Sequence, residues 1–187
     1  MNQTIVRDSL KNVDLSAYIL AVRPKTLTIS LIPVLAASAL AYRDWGVINL
    51  EISILAFIVA CLIQMATNIF NDVLDYMKGA DTKNRVGFQR MTAAGRISPR
   101  AMYIFGLVTL LAASCLSLPL IQVGGPFYLI ILFTSLFCAY GYTGGPYPIA
   151  YTGLGEVFVM LYFGFVSVLG TYYLLTKELS FQAAEIG

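Results

Sequence analysis

A chain of 187 residues, 58% hydrophobic and 12% charged with a mean hydropathy of +0.76, is too apolar for a soluble domain, whose charged share is about 25%. The composition is that of a membrane protein, and at roughly 20 residues per crossing the length holds about five spans. A net charge of +2 leaves no basic surplus to track a nucleic-acid backbone, which excludes nucleic acid as a partner. Histidine is absent, so Ser/His/Asp and Cys/His triads, His-ligated haem and His-rich zinc sites are excluded as well.

Acid, base or metal chemistry must therefore use carboxylates, Lys, Tyr or amides. The three cysteines, Cys61, Cys115 and Cys138, sit singly in apolar runs and read as small core hydrophobes. The first twenty residues carry Asp8 and Asp14 and lack a compact apolar core with a small-residue cleavage site, so they do not read as a removable signal peptide.

Five apolar stretches follow: Leu27 to Tyr42, Ile52 to Phe70, Tyr103 to Ile121, Phe127 to Tyr142 and Val157 to Thr176. In lipid they must be helices, because an open strand leaves its backbone polar groups unsatisfied. Pro24 and Pro33 predict a kinked first helix whose entry includes Ser16 to Val22. Gly124, Gly125 and Pro126 predict a tight turn that makes spans three and four an antiparallel pair. The expected fold is an all-α, polytopic transmembrane bundle of about five spans.

Arg7, Lys11, Arg23 and Lys25 precede the first span, and Lys78, Lys83, Arg85, Arg90, Arg96 and Arg100 lie between the second and third. A cytoplasmic N-terminus places all of these on the inner face and leaves only Arg43 and Lys177 outside, as the positive-inside rule requires. No charged residue occurs from Ala101 to Gly155, so the ionisable groups gather at the end of span two and in the loop after it.

The run QMATNIFNDVLDYMKGAD, Gln64 to Asp81, carries the chemistry. At about 100° per residue, Asn68, Asp72 and Asp75 fall within an arc of roughly 60° and are expected to converge on one point. Two carboxylates one turn apart repel, and the negative end of the helix dipole adds to the repulsion, so the arrangement calls for a bound cation. An oxygen-only, doubly anionic ligand set suits Mg²⁺ shared with a phosphate-bearing substrate, and Lys78, Lys83, Arg85 and Arg90 are candidate phosphate partners. The alternative account has these acids solvated at the membrane boundary and neutralised by neighbouring Lys and Arg.

At these residues the sequence resembles the UbiA superfamily of membrane prenyltransferases, whose first aspartate-rich motif reads NxxxD with another Asp soon after; here it is Asn68, Asp72 and Asp75, leading to Asp81. RPKTL from Arg23, YTGGPYPIAYTGLGE from Tyr142, and DTKNRVGFQRMTAAGRISP from Asp81 resemble the branch that prenylates 1,4-dihydroxy-2-naphthoate in menaquinone biosynthesis. The resemblance implies transfer of a polyprenyl group from an allylic prenyl diphosphate to an aromatic acceptor, with Mg²⁺, in a bacterial cell membrane. It further implies Asn68, Asp72 and Asp75 as metal and diphosphate ligands, Asp81 in the adjoining loop, and Arg90 as a catalytic diphosphate contact.

Arg23 and Lys25 either face the diphosphate or simply mark the cytoplasmic entry. Tyr140 and Tyr142 either touch the substrates or pack the bundle. Gly144, Gly145, Pro146 and Pro148 are expected to shape a turn, and Glu156 to favour a helix N-terminus.

Members of the superfamily have about nine spans and a second aspartate-rich motif beyond the sixth. Residues 1–187 are therefore expected to form one prenyltransferase-like domain that is the N-terminal part of that fold, inactive alone. On this view the chain is a truncated remnant, or it pairs with a second polypeptide that supplies the missing helices. An ion transporter is disfavoured because the acids lie at a helix end rather than at the midplane. The DGxxAR pattern of a phosphatidyl-type alcohol transferase is absent.

Overall fold

The computed structural model describes residues 14–46, 48–81 and 87–187. Seven helices follow one another and no strand occurs among the described residues: α1 Leu15–Val22, α2 Thr28–Trp45, α3 Leu50–Met77, α4 Pro99–Leu116, α5 Leu118–Gly141, α6 Gly155–Thr176 and α7 Phe181–Ile186. Five segments are long and apolar enough to cross a membrane, the first being α1 and α2 together, and the chain is a multi-pass membrane protein. Large apolar side chains such as Ile32, Leu35, Ile54, Leu111, Ile130, Phe133 and Phe137 point outward, where acyl chains take the place of water.

Local signals explain most helix ends. Asp14, Asn49, Ser98 and Ser180 each cap a helix by accepting a hydrogen bond from the backbone N–H three residues on, and Pro99 occupies the first turn of α4. The break in the first span falls at Arg23, which is left-handed at φ 57°, followed by a short 3-10 turn Pro24–Leu27. Helix α2 continues through Pro33, so Pro24 and not Pro33 redirects the chain. Ser117 between α4 and α5 keeps helical angles, φ −79° and ψ −13°, and the Ile121 N–H still bonds its carbonyl at 2.9 Å, whereas Gly125, at φ 62° and ψ −154°, breaks the helix within the 122–126 segment where the turn is expected.

Helix α3 is the axis of the bundle and touches α1, α2, α4, α5 and α6. Its 28 residues reach about 42 Å, more than the roughly 30 Å of hydrocarbon, so the last two turns emerge at the membrane boundary. Around those turns Phe70 is fully buried, edge-on to Tyr103 and Tyr140 at 5.7 and 5.3 Å. Gly106 of α4 admits this ring: a Cβ there would lie 2.9 Å from Phe70 Cε1. Deeper in the bundle, Ser38 Oγ of α2 donates to Ser53 Oγ of α3 at 3.0 Å, and small Ala37 and Ala41 let α2 meet Val168 and Tyr172 of α6.

The two ends differ in chemistry. At one, Arg43 pairs with Asp44, Tyr172 donates to Asp44, and Lys177 Nζ donates to the Val123 carbonyl. At the other, Arg96 holds Asp14 at 2.7 Å and the acidic end of α3 meets the loops 87–98 and 142–154. Arg7, Lys11, Lys83 and Arg85 lie outside the described residues.

Candidate functional site

Asn68, Asp72 and Asp75 share a buried face of α3, as their spacing requires, yet each is held by a different partner. Asn68 Nδ2 donates at 2.9 Å both to the Val22 carbonyl and to Thr26 Oγ1, tying the RPKTL segment to α3. Asp72 accepts the backbone N–H groups of Met91 and Thr92, one on each oxygen, at 2.8 and 2.9 Å. Asp75 pairs with Arg90 and accepts the Tyr151 hydroxyl. The expected convergence on one point is therefore replaced by three adjoining contacts, and no cluster of three or more Asp, Glu, His or Cys side chains occurs among the described residues.

The repulsion between the two acids is offset by this chain's own groups. Arg90, whose side chain is 4% exposed, lies between Asp75 and Asp81, with Nε 3.7 Å from Asp81 Oδ1. The two N–H dipoles on Asp72 hold the turn that follows Arg90, so Asp72 positions the guanidinium that neutralises Asp75.

Two cavities meet here. A polar one of about 350 Å³ is lined by Arg23, Asp75 and Arg90 together with Asn71, Tyr142, Thr143 and Tyr151. An apolar one of about 230 Å³ runs into the bundle between α3, α5 and α6, past Ala56, Val59, Ile131, Phe158 and Phe163. Asn71 and Tyr142 line both, so the two cavities adjoin there. The π-helical stretch Met160–Val166 of α6 contributes Tyr162, Phe163 and Val166 to the apolar wall.

The left-handed turn at Arg23 puts this residue on the polar cavity, and its guanidinium stacks over Phe88 at 5.5 Å. Lys25, two residues on, is exposed and lines neither cavity. Tyr142 lines both cavities; burial, followed by the Glu156 and Asp75 carboxylates, raises its hydroxyl above the usual tyrosine value. Tyr140 packs on Phe70, and Glu156 occupies the first turn of α6.

Sequence reasoning missed how the loop 142–154 closes over the acids. Lys78 Nζ donates to the Thr143 carbonyl and lies 5.3 Å above the Tyr151 ring, while Thr143 Oγ1 donates to Asn71 Oδ1. Tyr151 belongs to the YTGGPYPIAYTGLGE segment and lies seventy-six residues beyond Asp75, a separation at which no spacing in the chain announces their contact.

The UbiA prenyltransferase family model matches residues 30–186. The chain is 33% identical to 1,4-dihydroxy-2-naphthoate octaprenyltransferase of Escherichia coli (strain K12) over 169 residues, covering 87% of this chain and 54% of that protein. The protein of the same name from Bacillus subtilis (strain 168) is 33% identical, with 86% and 51% covered. The UbiA prenyltransferase domain-containing protein 1 of Homo sapiens is 31% identical, with 84% and 46% covered. The chain thus spans about half the length of the curated relatives it matches. Its helical bundle, its acidic face and these matches together place the chain in the UbiA prenyltransferase family.

Proposed function

We propose that the chain forms the prenyl-diphosphate half of a membrane prenyltransferase that alkylates an aromatic acceptor, 1,4-dihydroxy-2-naphthoate, in menaquinone biosynthesis. The observation that carries the reading is the adjoining pair of cavities, one polar and lined by Arg23 and Arg90, the other apolar, which matches a ligand with a diphosphate head and a hydrocarbon tail.

Arg23 and Arg90 supply the forked donors that bind phosphate oxygens. Asp75 and Asp81 flank Arg90, and Asp72 stands one turn away; these hard oxygens fit Mg²⁺, with Asn68 Oδ1 behind them. When bound, Mg²⁺ neutralises charge on the departing diphosphate. The C–O bond of the allylic ester breaks toward the polar cavity, and the prenyl carbon bonds to the ring with loss of a ring proton. The apolar wall of Phe158, Tyr162 and Phe163 keeps water from the cationic prenyl carbon.

The test is binding of labelled geranyl diphosphate to the purified chain in detergent. Binding is expected to require Mg²⁺, to weaken more than tenfold in Asp75→Asn and to be unchanged in Arg43→Gln at the opposite end. Mg²⁺-independent binding that survives Asp75→Asn refutes the reading. A diphosphate carries about three negative charges, more than one carboxylate pair neutralises through a single Mg²⁺, so residues 1–187 alone are expected to bind without turnover. A second polypeptide or further helices complete the site on this view.

We also propose that the N-terminus is cytoplasmic in a bacterial cell membrane. Arg23, Lys25, Lys78, Arg90, Arg96 and Arg100 lie on the side of the acidic site, against Arg43 and Lys177 at the other end. A reporter fused after Gly187 should report the outer side; a cytoplasmic signal refutes the orientation.

A further inference from the structure

One turn of α3 deeper than Asn68, the Gln64 side chain is 93% buried at 7% exposure and lines the apolar cavity. Its orientation follows from its neighbours. The Val22 carbonyl can only accept, so Asn68 must turn its Nδ2 toward it. Asn68 Oδ1 then faces Gln64, which must offer Nε2, 3.5 Å away. What remains is Gln64 Oε1, a buried acceptor with no hydrogen-bond partner among the described residues. A carbonyl in that state, beside an apolar chamber, is completed by a ligand that brings a donor.

We propose that Gln64 Oε1 accepts a hydrogen bond from a ring hydroxyl of the aromatic acceptor, making Gln64 a specificity residue that selects hydroxylated rings. The proposal rests on the prenyl-transfer reading above. The prenyl chain is pure hydrocarbon and has no donor to offer, so of the two substrates only the acceptor carries the chemistry that this oxygen lacks. Gln64, Asn68 and Asp72 follow one another at intervals of four residues, so Gln64 lies about 12 Å along the helix from Asp72. That distance separates the hydroxyl subsite from the polar cavity and leaves the reacting carbon between them. A buried water is the other source of a donor, and it would not distinguish a hydroxyl from a methoxy group.

The experiment measures binding of 1,4-dihydroxynaphthalene and 1,4-dimethoxynaphthalene to the purified chain by anaerobic equilibrium dialysis. Wild type is expected to prefer the diol about tenfold, the worth of one hydrogen bond. Gln64→Met, close in shape but without an acceptor, should lower the ratio to near one while leaving the dimethoxy compound bound as before. Gln64→Glu loses the donor to Asn68 but keeps an acceptor oxygen, and it should retain the preference; this separates the role of Oε1 from that of Nε2. A preference that survives in Gln64→Met overturns the proposal and leaves the prenyl-transfer reading intact. Equal binding of both compounds, or none, in wild type also overturns it, and the Mg²⁺-dependent geranyl diphosphate measurement then decides separately whether that reading stands.

Discussion

Replacing Asp72 by Asn separates a structural duty of this carboxylate from any duty toward a metal. Each Asp72 oxygen accepts one N–H, from Met91 at 2.8 Å and from Thr92 at 2.9 Å, and the side chain is 1% exposed. An amide keeps one oxygen and turns an NH₂ toward the second N–H, donor against donor. One charge-assisted hydrogen bond is lost, the other becomes neutral, and a buried N–H is left unmade, together about 3 kcal/mol. Local opening of the turn after Arg90 should then become easier by roughly two orders of magnitude. Hydrogen exchange of the purified protein in detergent, with Mg²⁺ chelated, measures this. The Met91 and Thr92 amides should exchange about 100-fold faster in Asp72→Asn, while amides of residues 56–64 in α3 keep their protection. Unchanged exchange at Met91 and Thr92 would show that Asp72 does not hold the turn, and the positioning of Arg90 would need another cause.

Arg90→Ala leaves Asp75 and Asp81 buried without their shared guanidinium and should destabilise the protein by about 3–5 kcal/mol, seen as a lower thermal midpoint that the added Asp75→Asn partly restores; an unchanged midpoint counts against the bridge. Burial and the Asp75 carboxylate push the Tyr151 hydroxyl up to about 12 from 10, and because the folded state holds this proton more tightly, the stabilisation is complete below pH 10 and is lost as pH rises from 10 to 12. Exchange of residues 143–154, corrected for intrinsic rate, should be flat from about pH 7 to 9.5 and accelerate above pH 10, with no such step in Tyr151→Phe. Gly106→Ala drives a Cβ to 2.9 Å from a ring that Tyr103 and Tyr140 already enclose, at a cost of about 1–3 kcal/mol in thermal stability; a variant as stable as wild type shows that Phe70 can shift.

The five spans were legible because lipid leaves an apolar run no choice but a helix, so length and composition were sufficient. The joints were less legible. Pro33 looked like the place for a kink, but a missing N–H inside a packed membrane helix is tolerated, whereas Pro24 after the left-handed Arg23 ends one helix and starts another. Gly124, Gly125 and Pro126 were the legible joint, because the φ of 62° at Gly125 is one that glycine adopts without strain.

At the site, the i, i+4, i+7 spacing of Asn68, Asp72 and Asp75 was legible because helical geometry alone puts them on one face. Their partners come from elsewhere in the chain: Val22 and Thr26 before, Arg90, Met91 and Thr92 after, and Tyr151 beyond two further spans. A one-dimensional reading sees charges but not backbone N–H groups, so it counted two repelling carboxylates and called for a metal to reconcile them. In the folded chain Asp72 faces two backbone dipoles and Asp75 faces a guanidinium, so the acids stand together without one. A diphosphate that recruits Arg90 must weaken its pairing with Asp75, and the oxygens thus released are those available to a divalent cation. On the proposed prenyl-transfer reading, binding of diphosphate and of a divalent cation at this face would be coupled through Arg90, each making the other easier.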